Sequence, residues 1–322
     1  MTDTVAAPWL FVHVPKTAGT SFRQSAVQAL GAEHCEFDYG PVSPSTTQRV
    51  RELTYDAQDL FRLRQRMRKD GVTMLAGHVP LQRYASLFPS ARIVSFVRDP
   101  LAQLLSHHAH LSRTSDVLPL AEFVAGPQGA GLQSRLLSGP PLAALGPIGI
   151  TERFEDSLRV INAALGVNLK PAQLNLNPQR QEVTESLYEL PPELSSSLQV
   201  LLREDQALYA RAGQLLDERL ALLDAGLPFA NGALTEVTPP LVRGFAFWPA
   251  QTRVVSLQLQ VNGAAVADLK ATRFHARWRA LNTPREGCVG FEYRPAEPLR
   301  AGDVVQARVV ETGQVLGTHR LT

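Results

Sequence analysis

Short, almost continuously apolar runs alternate with segments of helical spacing over the first two thirds of the chain. Trp9–Val14 reads as a strand, and a helix is predicted over Ser21–Leu30 with Gly31 as its stop. Val72–Ala76 is a second strand, ending at Gly77-His78, and Arg92–Val97 is a third. Runs apolar at every position belong to strands covered on both faces, as in a parallel sheet. Asp99 followed by Pro100 has the pattern of an N-cap with proline at the first helical position, so a helix is predicted over 101–112. Further helical segments are predicted at 56–69, 155–165 and 192–223. This alternation predicts an α/β fold, a P-loop-like parallel sheet flanked by helices.

The period then changes. Pro228–Pro240 contains Asn231-Gly232 and Pro239-Pro240 and reads as a linker. Beyond it Val254–Val261 alternates with period two, Asn262-Gly263 is a hairpin turn, and Ala264–Leu269 is the return strand. Val289–Tyr293 and Val304–Val310 are further strands, with Gly313 and Gly317 in turns. A small all-β sandwich is expected. The expected domains are therefore 1–228, a linker at 229–240, and a β-sandwich accessory domain at 241–322.

Composition narrows the function classes. With 322 residues there is enough chain for two cores. A net charge of +2 gives no case for a nucleic-acid binder. No run approaches the length of a membrane span, and the opening residues lack the basic-then-apolar order of a secretory signal. A cytoplasmic setting is expected. Cys35 and Cys288 lie far apart and read as two reduced thiols, and no metal-ligand spacing is evident. In 56–69 the basic residues Arg62, Arg64, Arg66, Arg68 and Lys69 spread around the helix; a solvated face and an anion-docking face both fit.

The chemistry concentrates where strands end. The first strand runs into Pro15-Lys-Thr-Ala-Gly-Thr-Ser21, and a helix follows. Backbone N–H groups around Gly19, Thr20 and Ser21 can cradle an oxyanion at a helix N-terminus, and Gly19 permits close approach. Lys16 adds a mobile charge, and Thr17, Thr20 and Ser21 add hydroxyl donors. The loop lacks the Gly-x-x-x-x-Gly-Lys-Ser/Thr spacing of a Walker A motif. Arg98 follows the third strand, on the edge where α/β sheets collect ligands, and Ser106 lies two turns along the next helix. His78 ends the second strand and has the chemistry of a general base near neutral pH. His107, His108 and His110 are its neighbours in kind.

These motifs together carry a resemblance. His13-Val-Pro-Lys-Thr-Ala-Gly-Thr-Ser-Phe-Arg23, then Gly77-His-Val79, then Ile93-Val-Ser-Phe-Val-Arg-Asp-Pro100 with Ser106, resemble the sulfotransferase family that includes the heparan sulfate 2-O type and bacterial carbohydrate sulfotransferases. Ile148–Leu158 and Leu202–Tyr209 resemble later family segments, so the likeness spans about residues 8–225. The resemblance implies that residues 15–21 (Pro15, Lys16, Thr17, Ala18, Gly19, Thr20, Ser21) hold the 5′-phosphosulfate end of 3′-phosphoadenosine 5′-phosphosulfate (PAPS). It implies that Arg98 and Ser106 hold the 3′-phosphate, that His78 is the catalytic base beside Lys16, and that PAP is the product. Arg180, in a loop resembling one that ends in a basic residue, is implied to reach the nucleotide or a substrate anion. Where the family often has aromatic residues after the serine, this chain has His107-His108.

The implied activity is transfer of a sulfuryl group from PAPS to a hydroxyl, with a glycan as the expected acceptor and no metal required. The C-terminal block resembles accessory β-sandwiches of bacterial glycan-modifying enzymes, and it is expected to hold a substrate, a partner or a second subunit. Its aromatic residues Phe245, Phe247, Trp248 and Trp278 fit a core better than a sugar platform. Two other readings remain: a carbohydrate-binding or scaffold protein with a degenerate first domain, and a P-loop kinase.

Overall fold

The computed structural model describes residues 8–113, 118–171 and 192–322. Five strands, β1 (Trp9–Val12), β2 (Cys35–Asp38), β3 (Met74–Gly77), β4 (Ile93–Val97) and β5 (Ile148–Ile150), form one sheet in the order β2-β3-β1-β4-β5. Every pairing is parallel. Both faces are covered, which is why β1, β3, β4 and β5 carry no polar alternation; β2, at the sheet edge, does. Leu10, Val12 and Leu75 pack with Leu63, Met67, Leu216 and Leu220 on one side. Trp9, Phe11, Met74, Ala76 and Phe96 pack with Phe22, Ala26, Leu158 and Ile161 on the other.

Several expected boundaries move. The first helix is Gly19–Leu30, beginning two residues before Ser21. The helix expected at 56–69 is Leu60–Lys69. The Asp59 side chain caps it by accepting the Arg62 N–H at 2.9 Å, and a separate helical turn precedes it at Arg51–Asp56. The long C-terminal helix divides at Leu202 into Pro192–Leu201 and Arg203–Asp224. Strand β2 has no counterpart in the expected elements, because Glu36 and Asp38 interrupt its apolar pattern. Both carboxylates are buried and partnered, Glu36 by Arg49, and Asp38 by the Tyr55 hydroxyl at 2.6 Å and the Tyr84 hydroxyl at 2.7 Å.

The C-terminal region holds two antiparallel four-stranded sheets. One has the order β10-β11-β7-β6, from Arg273–Phe274, Cys288–Tyr293, Leu241–Phe247 and Asn231–Thr238. The other has the order β13-β12-β8-β9, from Val315–Arg320, Val304–Val309, Ser256–Val261 and Ala264–Lys270. Val242, Leu257, Leu259, Phe291, Val305 and Ala307 fill the space between them in a sandwich-like arrangement. The stretch expected as a linker at 229–240 is instead largely strand β6, paired along β7. Its Asn-Gly dipeptide opens a strand because the Asn231 side chain donates to the Leu145 carbonyl at 2.6 Å, across to the first region. Gly317, expected in a turn, lies within β13.

The two regions are fastened together. Phe245, Phe247, Trp278 and Val289 pack on Ala91, Ala143, Ala144 and Leu215. The Ser90 N–H donates to the Leu281 carbonyl at 3.0 Å, and Asn282 Nδ2 donates to the Ser86 carbonyl at 2.8 Å. Phe245, Phe247, Trp248 and Trp278 are all buried and are core residues. Among the described residues no helix is long and apolar enough to cross a membrane. Cys35 and Cys288 are free thiols, and burial, with Glu33 and Glu36 nearby, pushes Cys35 up to about 12.

Candidate functional site

The carboxyl ends of β1, β3, β4 and β5 share one edge of the sheet, and β1 lies where the chain switches from building one side to the other. Such a crevice is where open α/β sheets hold ligands. From β1 the chain enters the loop 13–18, in which Lys16 (φ 66°) and Ala18 (φ 61°) both adopt left-handed backbone. Each costs about 1–2 kcal/mol for a residue with a Cβ. The strain is held by Thr17, fully buried, whose hydroxyl donates to the Val14 carbonyl at 2.9 Å, and by Gln103, whose Nε2 donates to the Pro15 carbonyl at 3.0 Å.

A left-handed Ala18 followed by right-handed helix turns successive N–H groups toward a common point. The helical ladder begins with the Phe22 N–H donating to the Ala18 carbonyl at 3.1 Å. The N–H groups of Gly19, Thr20 and Ser21 precede that ladder. No side chain caps this helix and no acidic residue occupies its first turn. The result is an uncapped, positively polarised helix end at the mouth of the crevice.

His13 explains the glycine. A Cβ on Gly19 would lie 2.0 Å from His13 Cδ2. The His13 ring, itself buried, stacks on Phe11 and meets the Tyr39 hydroxyl through Nδ1 at 2.9 Å. Burial, then the nearby His78 and Arg23, holds its pKa well below the ordinary 6.5, so it is neutral. The Arg23 guanidinium lies over the rings of Phe37 and Tyr39, at 5.1 and 5.3 Å.

His78 follows β3, with its N–H donating to the Asp38 carbonyl at 3.1 Å. Its ring packs against His13, 4.2 Å between centroids, and against the edge of Tyr39, while the residue stays exposed on its open side. His78 Nδ1 lies 2.6 Å from the His13 carbonyl oxygen. A carbonyl only accepts, so Nδ1 carries the proton and Nε2 is left as the basic nitrogen. Desolvation lowers the His78 pKa from 6.5, opposed by that backbone hydrogen bond and assisted by the charges of Arg23 and His110.

Arg98 follows β4 and reaches back to the loop, Nη1 donating to the Lys16 carbonyl at 3.4 Å, with Glu152 3.9 Å from Nε. Its backbone is held on both sides by one buried side chain: the Arg98 N–H donates to Gln133 Oε1 at 2.9 Å, and Gln133 Nε2 donates to the Arg98 carbonyl at 3.0 Å. Asp205, buried on the helix Arg203–Asp224, accepts from the N–H groups of Gln133 and Ser134 at 3.4 and 2.7 Å. Ser106 sits half-buried on the helix Pro100–Leu111.

On the same helix His107 is buried against Phe123, its Nδ1 donating to the Gln128 carbonyl at 3.2 Å, and His110 is exposed. Both pKa values are lowered, chiefly by desolvation; Lys16 is among the charges acting on each, and His78 on His107. The crevice thus gathers the cations Lys16, Arg23 and Arg98 into a zone of positive potential suited to anions, beside His78 and His110, whose lowered pKa values favour the neutral ring. Arg180 lies outside the described residues. Among the described residues no cluster of three or more His, Cys, Asp or Glu side chains is arranged to hold a metal ion.

Sequence reasoning did not assign roles to His13, Tyr39, Arg23 or Gln133. His13 and Arg23 flank the loop motif, and that adjacency was the available signal. Tyr39 and Gln133 come from elsewhere in the chain and carry none. No family model, curated protein or solved structure matches the chain.

Proposed function

We propose that this protein is a PAPS-dependent sulfotransferase, with a P-loop-like 13–21 loop, that transfers a sulfuryl group to an acceptor hydroxyl, a glycan hydroxyl first among candidates. The observation that carries the reading is the uncapped end of the helix Gly19–Leu30, three N–H groups flanked by Lys16, in the same crevice as a histidine whose tautomer leaves Nε2 basic. A phosphosulfate fits this donor set: the amides of Gly19, Thr20 and Ser21, the hydroxyls of Thr20 and Ser21, and Lys16 are complementary to a polyanion. Thr17 is left out of that set, since its hydroxyl is committed to Val14. Arg98 and Ser106 are assigned the nucleotide's 3′-phosphate.

In the proposed reaction, His78 Nε2 removes the acceptor hydroxyl proton. The oxygen forms its bond to sulfur as the bond from sulfur to the bridging phosphate oxygen breaks. Negative charge then grows on that leaving oxygen, where Lys16 and the loop amides stabilise it. PAP leaves with the electron pair, and His78 leaves protonated. The neutral, desolvated His13 holds the His78 ring and provides the carbonyl that fixes its tautomer.

The test is calorimetric titration of PAP into the full-length protein, beside Lys16→Ala and Arg98→Ala. Binding that weakens about tenfold or more in each variant supports the reading, since a hydrogen bond to a charged group contributes about 1.5–3 kcal/mol. A folded wild-type protein that takes no PAP overturns it.

A further inference from the structure

The helix Leu60–Lys69 carries a surface that the proposed reaction does not use. Leu63 and Met67 anchor it in the core beneath the sheet. Arg62, Arg64, Arg66, Arg68 and Lys69 are all exposed, and no side chain among the described residues pairs with them. The helix contains no acidic residue. The acids at its ends are engaged elsewhere, Asp59 as the N-cap and Asp70 with Arg49 at 2.7 Å. Amid these cations Phe61 stands 68% exposed.

Two features separate the candidate partners. At 100° per residue the five cations cover the whole solvent arc of the helix rather than one stripe. A thread-like polyanion lying along the helix would engage only one side of that arc, whereas a planar sheet of charge meets a broad part of it. A phenyl ring standing among the cations gains little from a polyanion made of phosphate or sulfate groups without bases to stack. At a bilayer interface it inserts among the headgroups, while the arginine stems reach up to the phosphates. β2 and β3 are parallel neighbours and this helix connects them, so it runs back against the strands. Its Phe61 end therefore lies toward the edge that carries His78.

We infer that the helix Leu60–Lys69 docks the protein on an anionic lipid surface, with Phe61 inserted and the five cations on lipid phosphates, and turns the crevice toward that surface. Docking does not depend on the sulfuryl-transfer reading.

The experiment is flotation of the full-length protein with vesicles of phosphatidylcholine alone and with about one third phosphatidylglycerol. The wild-type chain is expected to float with the anionic vesicles only, and to release as salt rises from about 0.1 to about 0.5 M. Arg62→Glu with Arg66→Glu is expected to lose more than about tenfold in partitioning. Phe61→Ser, which leaves every charge in place, is expected to lose several-fold, and both variants should keep the wild-type thermal transition. The inference is overturned by equal behaviour with the two vesicle types. It is overturned equally if Phe61→Ser floats as the wild type does, or if heparin binds through the arginines while anionic vesicles do not. PAP titration reads a different surface, so failure of one proposal is distinguishable from failure of the other.

Discussion

At the scale of single residues, the site turns on two histidines in contact. His78 has its pKa lowered from 6.5, and the proposed base is its neutral form, so turnover is expected to hold through pH 6.5 and fall only below it. A pH profile of PAPS-dependent turnover reads this. His78→Ala is expected to abolish turnover while leaving PAP affinity within about twofold, since the ring is not assigned to the nucleotide; loss of PAP binding would refute its role as a base. His13 makes a stability prediction. Its folded pKa is depressed, so the unfolded chain binds the extra proton below 6.5, and stability present above 6.5 is lost as pH falls beneath it. The slope is up to about 1.4 kcal/mol per pH unit, and His13→Gln should flatten it in urea titrations. Gly19→Ala should cost about 1–3 kcal/mol and weaken PAP, because its Cβ meets the His13 ring. Lys16, His78 and Arg98 are visible in sequence because each ends an apolar run. His13 hides because a buried histidine beside a strand looks like any other.

At the scale of elements, strands end where chemistry begins, and other elements hold those ends still. Gln133 satisfies both the N–H and the carbonyl of Arg98, a strand-like pairing made by one side chain. Gln133→Ala leaves both groups without that partner and is expected to cost about 1–3 kcal/mol in urea unfolding. It should also weaken PAP by loosening Arg98, although it touches no assigned ligand. Unchanged PAP affinity in a destabilised variant would confine Gln133 to a packing role. Strands β1, β3 and β4 and the helices that follow β1 and β4 were legible from periodicity, whereas β6 and β7, though longer, were not read as strands. Strand β2 was not legible either, because its two buried carboxylates are satisfied largely by Arg49, Tyr55 and Tyr84, which the fold brings in from later segments.

At the scale of the molecule, the C-terminal sheets are fastened to the segments that lead into β4 and β5, at the amino edge of the parallel sheet. Their aromatic residues cover Ala91, Ala143, Ala144 and Leu215, and Asn231 and Arg219 both engage the Leu145 carbonyl, at 2.6 and 3.3 Å. One cooperative unfolding transition is therefore expected. Trp9 lies in the parallel sheet and Trp248 and Trp278 in the C-terminal region, so single-tryptophan variants should report the same urea midpoint. Separate midpoints would mean independent domains. A fragment starting at residue 241 also lacks β6, the partner of β7, and is expected to aggregate at the bare β7 edge.

The sequence by itself determined the alternation of apolar strands and helices, the change of period in the C-terminal third, and the strand-end positions of Lys16, His78 and Arg98. Those properties are local: burial on both faces writes apolar runs, and loop chemistry writes its residues in a row. Only the tertiary structure decided that His13 fixes the tautomer of His78, that Tyr39 and Gln133 belong to the site, and that residues 231–238 form a strand. The first two are contacts between residues far apart in the chain, which no periodicity records; the third is a hairpin with β7 whose turn residues, Pro239-Pro240, mask the strand in the sequence.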